Sequence, residues 1–305
     1  MSITFREPKR ENVKVLVGIA GGTGSGKTFS ALRFARGLSG GQPFAFIDTE
    51  NRRALHYADM FPEMRHGEIH APFRPAKYAE AIVKGADEFG VVVVDSASHE
   101  WAGDGGCLDW HDEIMGTDQR KNMSAWIEPK REHKRMMTKL LQLDAHVVMC
   151  FRAEPKVEVI MENGQQRVVP KRALTGLDGW VPIAEKMQPF EMTASFLMMA
   201  DHPGIPLPIK LEEQHKPFVK LNEQLGESAG EALAVWARGG AAIPAQDAMS
   251  VRRLNVLVRE AGIPGGVLRD VAADLYPGRT ATDLSPDELT ALWDKVVEID
   301  RQMMA

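Results

Sequence analysis

A lysine, three hydroxyl residues and four glycines make up Gly21-Gly22-Thr23-Gly24-Ser25-Gly26-Lys27-Thr28. The stretch fits G-x-x-x-x-G-K-[ST] at every position, and the chemistry it suits is holding a polyphosphate. Its glycines let backbone N–H groups curl around phosphate oxygens at the positive end of a helix dipole. Lys27 adds a full charge at the outer phosphates, and the Thr28 hydroxyl is suited to ligate Mg²⁺. Two groups of acids belong to the same chemistry. Asp48-Thr49-Glu50 follows the apolar run Pro43 to Ile47, and Asp95-Ser96 follows Val91-Val92-Val93-Val94. Glu50 reads as the group that polarises a water attacking the terminal phosphate, with Asp48, two residues back, as the rival base. The other reading of these acids is a solvated turn at a strand end. Asp95 reads as the residue that holds Mg²⁺ through a water or through the Thr28 hydroxyl.

These groups meet only if particular elements carry them. Val13 to Ile19 reads as a strand before the glycine loop, and Phe29 to Leu38 has the apolar spacing of a helix after it. Strands at Pro43–Ile47, Val91–Ser96 and His146–Phe151 carry the continuous apolar runs of a parallel sheet buried on both faces. Ligands of such sheets collect at the strand C-termini. A short helix is expected over Ala54–Met60, an edge strand over Gly67–His70 and a crossover helix over Pro75–Glu88. Ser98 to Gln119 reads as a mobile loop, its His99, Glu100 and Asp104 being poorly spaced for a metal. Trp126 to Leu143 reads as a helix, and Asn163-Gly164 as the turn of a hairpin. A strand over Phe190–Met199, mixed structure over Leu207–Leu221 and a helix over Glu227–Arg238 close the core.

Arg152 ends the strand after Phe151, where it either senses the terminal phosphate or pairs with a neighbouring acid. Lys130, Arg131, Lys134, Arg135 and Lys139 recur along one helix, as a solvated face or as a nucleic-acid or subunit contact. Lys171-Arg172 beyond the hairpin are candidates for DNA contact or for reaching a neighbouring subunit's phosphates.

The 305 residues are 44% hydrophobic and carry a net charge of −5, enough for a substantial core and unlike a passive polyanion binder. Two cysteines exclude a disulfide framework, and no apolar run approaches a membrane span, so a cytoplasmic protein with no membrane partner is expected. The composition changes at Gly239–Gln246, dividing the chain into a core at 1–240, a linker at 241–248 and a small helical module at 249–305. A capping box at Ser285-Pro286-Asp287-Glu288 opens the last helix of that module.

Taken together, Gly21 to Thr28, Ile47-Asp48-Thr49-Glu50 and Val94-Asp95-Ser96 resemble the core of RecA-like recombinases. Over Val13 to Leu221 the chain is similar to phage-encoded, Sak-type, core-only recombination ATPases. In these the phrases around Asp95-Ser96-Ala97-Ser98-His99-Glu100-Trp101 and Cys150-Phe151-Arg152-Ala153 recur in the same order. The resemblance implies an α/β RecA-like P-loop NTPase core, a mostly parallel sheet flanked by helices, with Glu50 as catalytic base. It also implies ATP and Mg²⁺ as cofactors, single-stranded DNA as a partner, and self-assembly into rings or filaments in the host cytoplasm. A single-strand DNA-binding protein is a further candidate partner. RecA itself carries an amide where this chain has Arg152. Under the resemblance, Phe5 is expected to act as a short tether to a neighbour, with no separate N-terminal domain expected before the first strand. The implied activity is DNA-dependent ATP hydrolysis serving recombination or annealing. The competing readings are a ring-forming helicase or packaging motor, an ATP-gated assembly with marginal hydrolysis, and a small-molecule kinase.

Overall fold

Residue 10 and residues 13–162, 165–173, 175–239, 249 and 251–304 are described in a computed structural model. Phe5, the Asn163-Gly164 turn and the 241–248 linker lie outside them. Contacts divide the chain into two units, 1–243 and 244–305.

The first unit is built on alternation. β1 (Leu16–Gly21) leads into α1 (Lys27–Ser39), and β2 (Phe44–Asp48) is followed by β3 (Met64–Glu68), α2 (Pro75–Glu88) and β4 (Val91–Asp95). All four valines of β4 are buried: Val91 and Val93 pack with Leu32, Phe34 and Leu38 of α1, while Val92 and Val94 pack with Tyr78 and Ile82 of α2. Such a run has no polar face because helices cover both sides, and each buried valine contributes roughly 1.5–3 kcal/mol. Between β4 and the next strand come α3 (Ser98–Ala102), α4 (Cys107–Met115), α5 (Asn122–Ala125) and α6 (Ile127–Leu141). β5 (His146–Pro155) then enters the sheet. After it come the hairpin β6 (Val157–Glu162) and β7 (Gln165–Pro170), then β8 (Trp180–Pro182) and α7 (Gln188–Glu191). β9 (Ala194–Met198), β10 (Leu207–Lys210) and α8 (Glu227–Ala237) complete the unit.

The sheet order is β10-β9-β1-β5-β4-β2-β3, parallel from β9 to β3, with β10 antiparallel at one edge and β8 antiparallel to the end of β5. The α/β core expected from the sequence is therefore present. One strand, β5, separates the glycine-loop strand β1 from the Asp95 strand β4. Asp48, Asp95 and Cys150 are level across β2, β4 and β5, and Arg152 is level with Gly21.

Several sequence expectations are corrected. Residues 98–119 are not a loop: two helices form there because distant residues hold them. Glu100, 1% exposed, accepts a hydrogen bond from His133 of α6 at 3.0 Å, and the Cys107 thiol donates to it at 3.3 Å. Trp101 stacks on Trp126, and Arg74 of the α2 N-terminus lies over Trp110. The glycines between the helices make only a short bend. Ala54–Met60 is a 3₁₀ turn at Arg53–Tyr57, and the edge strand begins at Met64, earlier than Gly67, because it pairs along the whole of β2. The first strand starts at Leu16 and runs on to Gly21, and the Phe190–Met199 strand is confined to Ala194–Met198, behind α7.

The second unit packs α9 (Val251–Glu260), α10 (Gly265–Leu275) and α11 (Pro286–Met304) around Leu254, Val258, Leu289, Leu292 and Val296. Its capping box is formed: Ser285 N–H donates to Glu288 at 2.7 Å and Glu288 N–H to the Ser285 hydroxyl at 3.3 Å. None of the described helices is long and apolar enough to cross a membrane.

Helices α1 and α8 meet through glycines. A Cβ at Gly230 would meet the Phe34 carbonyl and the Leu38 N–H, and one at Gly37 would meet the Glu227 backbone. Alanine ordinarily favours a helix over glycine by about 1 kcal/mol, but main-chain atoms of a packed helix cannot step aside. Gly230→Ala should therefore lose about 1–3 kcal/mol of stability in chemical denaturation. An unchanged midpoint would show that the helices are not in such close contact.

Candidate functional site

The glycine loop is suited to hold anions because its backbone is bent into conformations that few other residues adopt. Gly24 and Gly26 have φ of 77° and 79°, and Gly26 stands as the cap of α1 with the helix N–H groups beyond it. A Cβ at Gly22 would crowd the Trp180 ring, so β8 packs directly over the loop. Gly21 to Thr28 line a cleft of about 710 Å³ with Phe29, Asp48, Glu50, Asp95 and Arg152. One cleft therefore holds the loop and the four other candidates.

Thr28 Oγ1 donates to Asp95 Oδ2 at 2.6 Å. Asp95 is 5% exposed, and its Oδ1 has no hydrogen-bond partner among the described residues. Burial pushes its carboxyl up to about 6, against the pull of Thr28 and Lys27. An unsatisfied buried carboxylate beside a threonine hydroxyl fits a divalent cation, and these two residues would hold Mg²⁺.

The strand ends are tied to one another. Thr49 N–H donates to the Asp95 carbonyl at 2.9 Å, and Ser96 N–H to Thr49 Oγ1 at 2.8 Å. The same hydroxyl pairs with His99 Nδ1 at 2.8 Å, and Tyr78 donates to the Ser96 carbonyl at 3.1 Å. Burial, then Arg152, hold His99 below its ordinary pKa, so the ring is neutral at pH 7.

Asp48 and Glu50 are not in a solvated turn. Asp48, 2% exposed, accepts from Glu50 N–H at 2.6 Å and Ala54 N–H at 3.2 Å, and pairs with His66 Nε2 at 3.1 Å. Its oxygens are occupied in shaping the turn after β2. Glu50 faces the cleft, and its Oε1 accepts from Arg152 Nε at 3.0 Å and Nη2 at 2.8 Å. Arg152 thus pairs with an acid, one of the two outcomes the sequence left open, inside the cleft that the glycine loop lines.

The remaining basic candidates are elsewhere. Lys171 and Arg172 do not line the cleft. The Lys171 N–H is bound to the Lys156 carbonyl, and the Arg172 N–H to Glu158 at the foot of the hairpin. On α6, Arg131 pairs with Glu128 and Arg135 with Glu132, and Lys130 lies over Trp126. Sequence reasoning passed over Arg53, His56 and Tyr57, which line the cleft from the 3₁₀ turn. Their only sequence signal is position, a few residues past Glu50.

Asp95 supplies a test. Its pKa is raised on folding, so the burial penalty is absent below about pH 4 and complete above about pH 6. Asp95→Asn should keep the Thr28 contact, stabilise the nucleotide-free protein at pH 7.5 by on the order of 2 kcal/mol, and abolish Mg²⁺-dependent nucleotide binding. Thermal melts from pH 4 to 8 measure the first effect. A large loss of stability in the variant would contradict the assignment.

Residues 13–180, more than half of the chain, match the family described as AAA domain. No curated protein matches. Among solved structures the chain is similar to a KaiC-like protein from the hyperthermophilic archaeon Pyrococcus horikoshii, at 14% identity and a TM-score of 0.31 over 61% of this chain and 72% of that one. So distant a likeness carries no inference about activity. The family match and the complete glycine loop on β1 lead to one conclusion: this chain belongs to the AAA domain family and is a P-loop ATPase.

Proposed function

We propose that this ATPase requires Mg²⁺, binds single-stranded DNA and promotes recombination or strand annealing, as the Sak-type phage ATPases it resembles do. The observation that carries the reading is Glu50, two residues past the end of β2, facing the cleft lined by Lys27, Thr28 and Asp95. A carboxylate there is suited to orient a water and take its proton as it attacks the terminal phosphate. Lys27 draws charge from the outer phosphates, and Thr28 and Asp95 hold Mg²⁺, which adds positive charge there when bound. Arg152 neutralises Glu50 until a phosphate competes for the guanidinium, which then stabilises charge spreading over the phosphoryl oxygens.

The DNA part of the reading rests on the hairpin. β6 and β7 form a sheet of their own, with exposed Val157, Val159, Met161 and Val168 on one face. Lys171 and Arg172 follow directly. The hairpin leaves β5 three residues after Arg152 ends its ladder with β1, and it is rooted by Lys156–Gly179 and Lys171–Lys156 backbone bonds. A ligand on this arm is mechanically close to the phosphate-sensing arginine. Assembly of several chains, with Lys171 or Arg172 reaching a neighbour's phosphates, belongs to the same proposal.

Two experiments test it. Glu50→Gln should lower single-turnover ATP hydrolysis by about two or more orders of magnitude with ATP affinity no weaker than wild type, because the substitution frees Arg152. Asp48→Asn should instead loosen the turn and reduce stability. Normal turnover in Glu50→Gln removes the assigned base. For DNA, Lys171→Glu with Arg172→Glu should weaken oligonucleotide binding about 10-fold or more at moderate salt and flatten its salt dependence. Reversal at Lys130, Arg131 and Lys134 should matter less, since Glu128 already offsets Arg131. Unchanged affinity in the hairpin variant would clear that arm. ATP-driven unwinding of a duplex without annealing would favour the motor reading.

A further inference from the structure

The turn that presents Glu50 also presents a second guanidinium. Asn51 and Arg52 both adopt positive φ, 53° and 63°, a conformation uncommon for asparagine and unfavourable for arginine. Two such residues in succession persist only where the surroundings impose them. The Asp48 carboxylate does so by accepting from Glu50 N–H at one end and Ala54 N–H at the other. Arg52 is turned outward and held by Glu68 at 2.7 Å. Arg53 is turned the other way, into the wall of the cleft, with Nη1 3.5 Å from Glu50 Oε2. Glu50 is therefore bracketed: Arg152 binds one oxygen at 2.8 Å and Arg53 stands off the other.

We infer that Arg53 is a second terminal-phosphate contact, one that sets the preference of the cleft for ATP over ADP; the inference rests on reading the cleft as an ATP site. One carboxylate neutralises only one of two guanidinium charges, and the contact to Arg53 is the longer and more exposed, its side chain being 70% accessible against 48% for Arg152. Leaving Glu50 costs Arg53 little. A terminal phosphoryl group brings more charge and more acceptor oxygens than the carboxylate, and a planar fork suits it. ADP has no group at that position, so Arg53 stays on Glu50 when ADP is bound. The strained turn gains a purpose: it places base and cation three residues apart on one rigid corner.

Calorimetric titration of the full chain with ADP and with the β,γ-imido analogue of ATP, both with Mg²⁺, reads the inference directly. Arg53→Ala should weaken the analogue about 10-fold and leave ADP within about 2-fold. Arg53→Lys should recover part of the loss, because the charge returns without the fork. Arg53→Gln, which keeps most of the stem, serves as the second variant. An unchanged ratio of the two affinities in a variant that melts like wild type overturns the inference, as does an equal loss for both nucleotides. If the wild-type chain binds neither nucleotide, the reading of the cleft fails and the inference falls with it; if wild type binds both and only the ratio is unmoved, the role of Arg53 alone is lost.

Discussion

A parallel sheet covered on both faces leaves a single place for polar chemistry: the edge where its strands end. β1, β2, β4 and β5 are buried side by side, and alternate residues on each are committed to one helix layer or the other. Side chains that must meet water, phosphate or metal can emerge only past the last buried residue. Asp48, Asp95 and Cys150 mark that level on three strands, and Gly21 and Arg152 lie side by side on β1 and β5. The cleft follows from this geometry. Its position is fixed by the pairing of the strands, and its contents by whichever residues stand at their ends.

Charge at this edge is handled unevenly, and the unevenness is informative. Asp48 is fully engaged by N–H donors and His66, as a residue shaping backbone must be. Asp95 has one oxygen on Thr28 and one with no partner among the described residues. Glu50 is held by side-chain cations, which can move, and hardly by backbone, which cannot. A buried acceptor left open and a carboxylate held by mobile arginines are both arrangements that a ligand would complete. Ties through Thr49, Ser96 and His99 keep the strand ends carrying them in fixed register.

Local pattern determined much of this protein. Gly21 to Thr28 could be read from residue types alone, because a phosphate cradle needs no long-range partner beyond a strand before it and a helix after it. The apolar runs ending at Asp48 and Asp95 were equally plain, since continuous burial leaves no alternation to misread. The tertiary structure decided what depends on residues far apart. Helices at Ser98–Ala102 and Cys107–Met115 exist because Glu100 finds His133 and Trp101 finds Trp126, pairings that no local spacing announces. Arg152 has two possible partners in sequence terms, and only the adjacency of β5 to β4, and of β4 to β2, brings it to Glu50. Arg53 was silent in the chain because its direction depends on two residues at positive φ, held there by a carboxylate several residues earlier. Sequence alone determined the chemistry available to this protein, because residue type and short spacing carry it. Folding decided which charges face one another, because strand order and backbone reversal have no local signature.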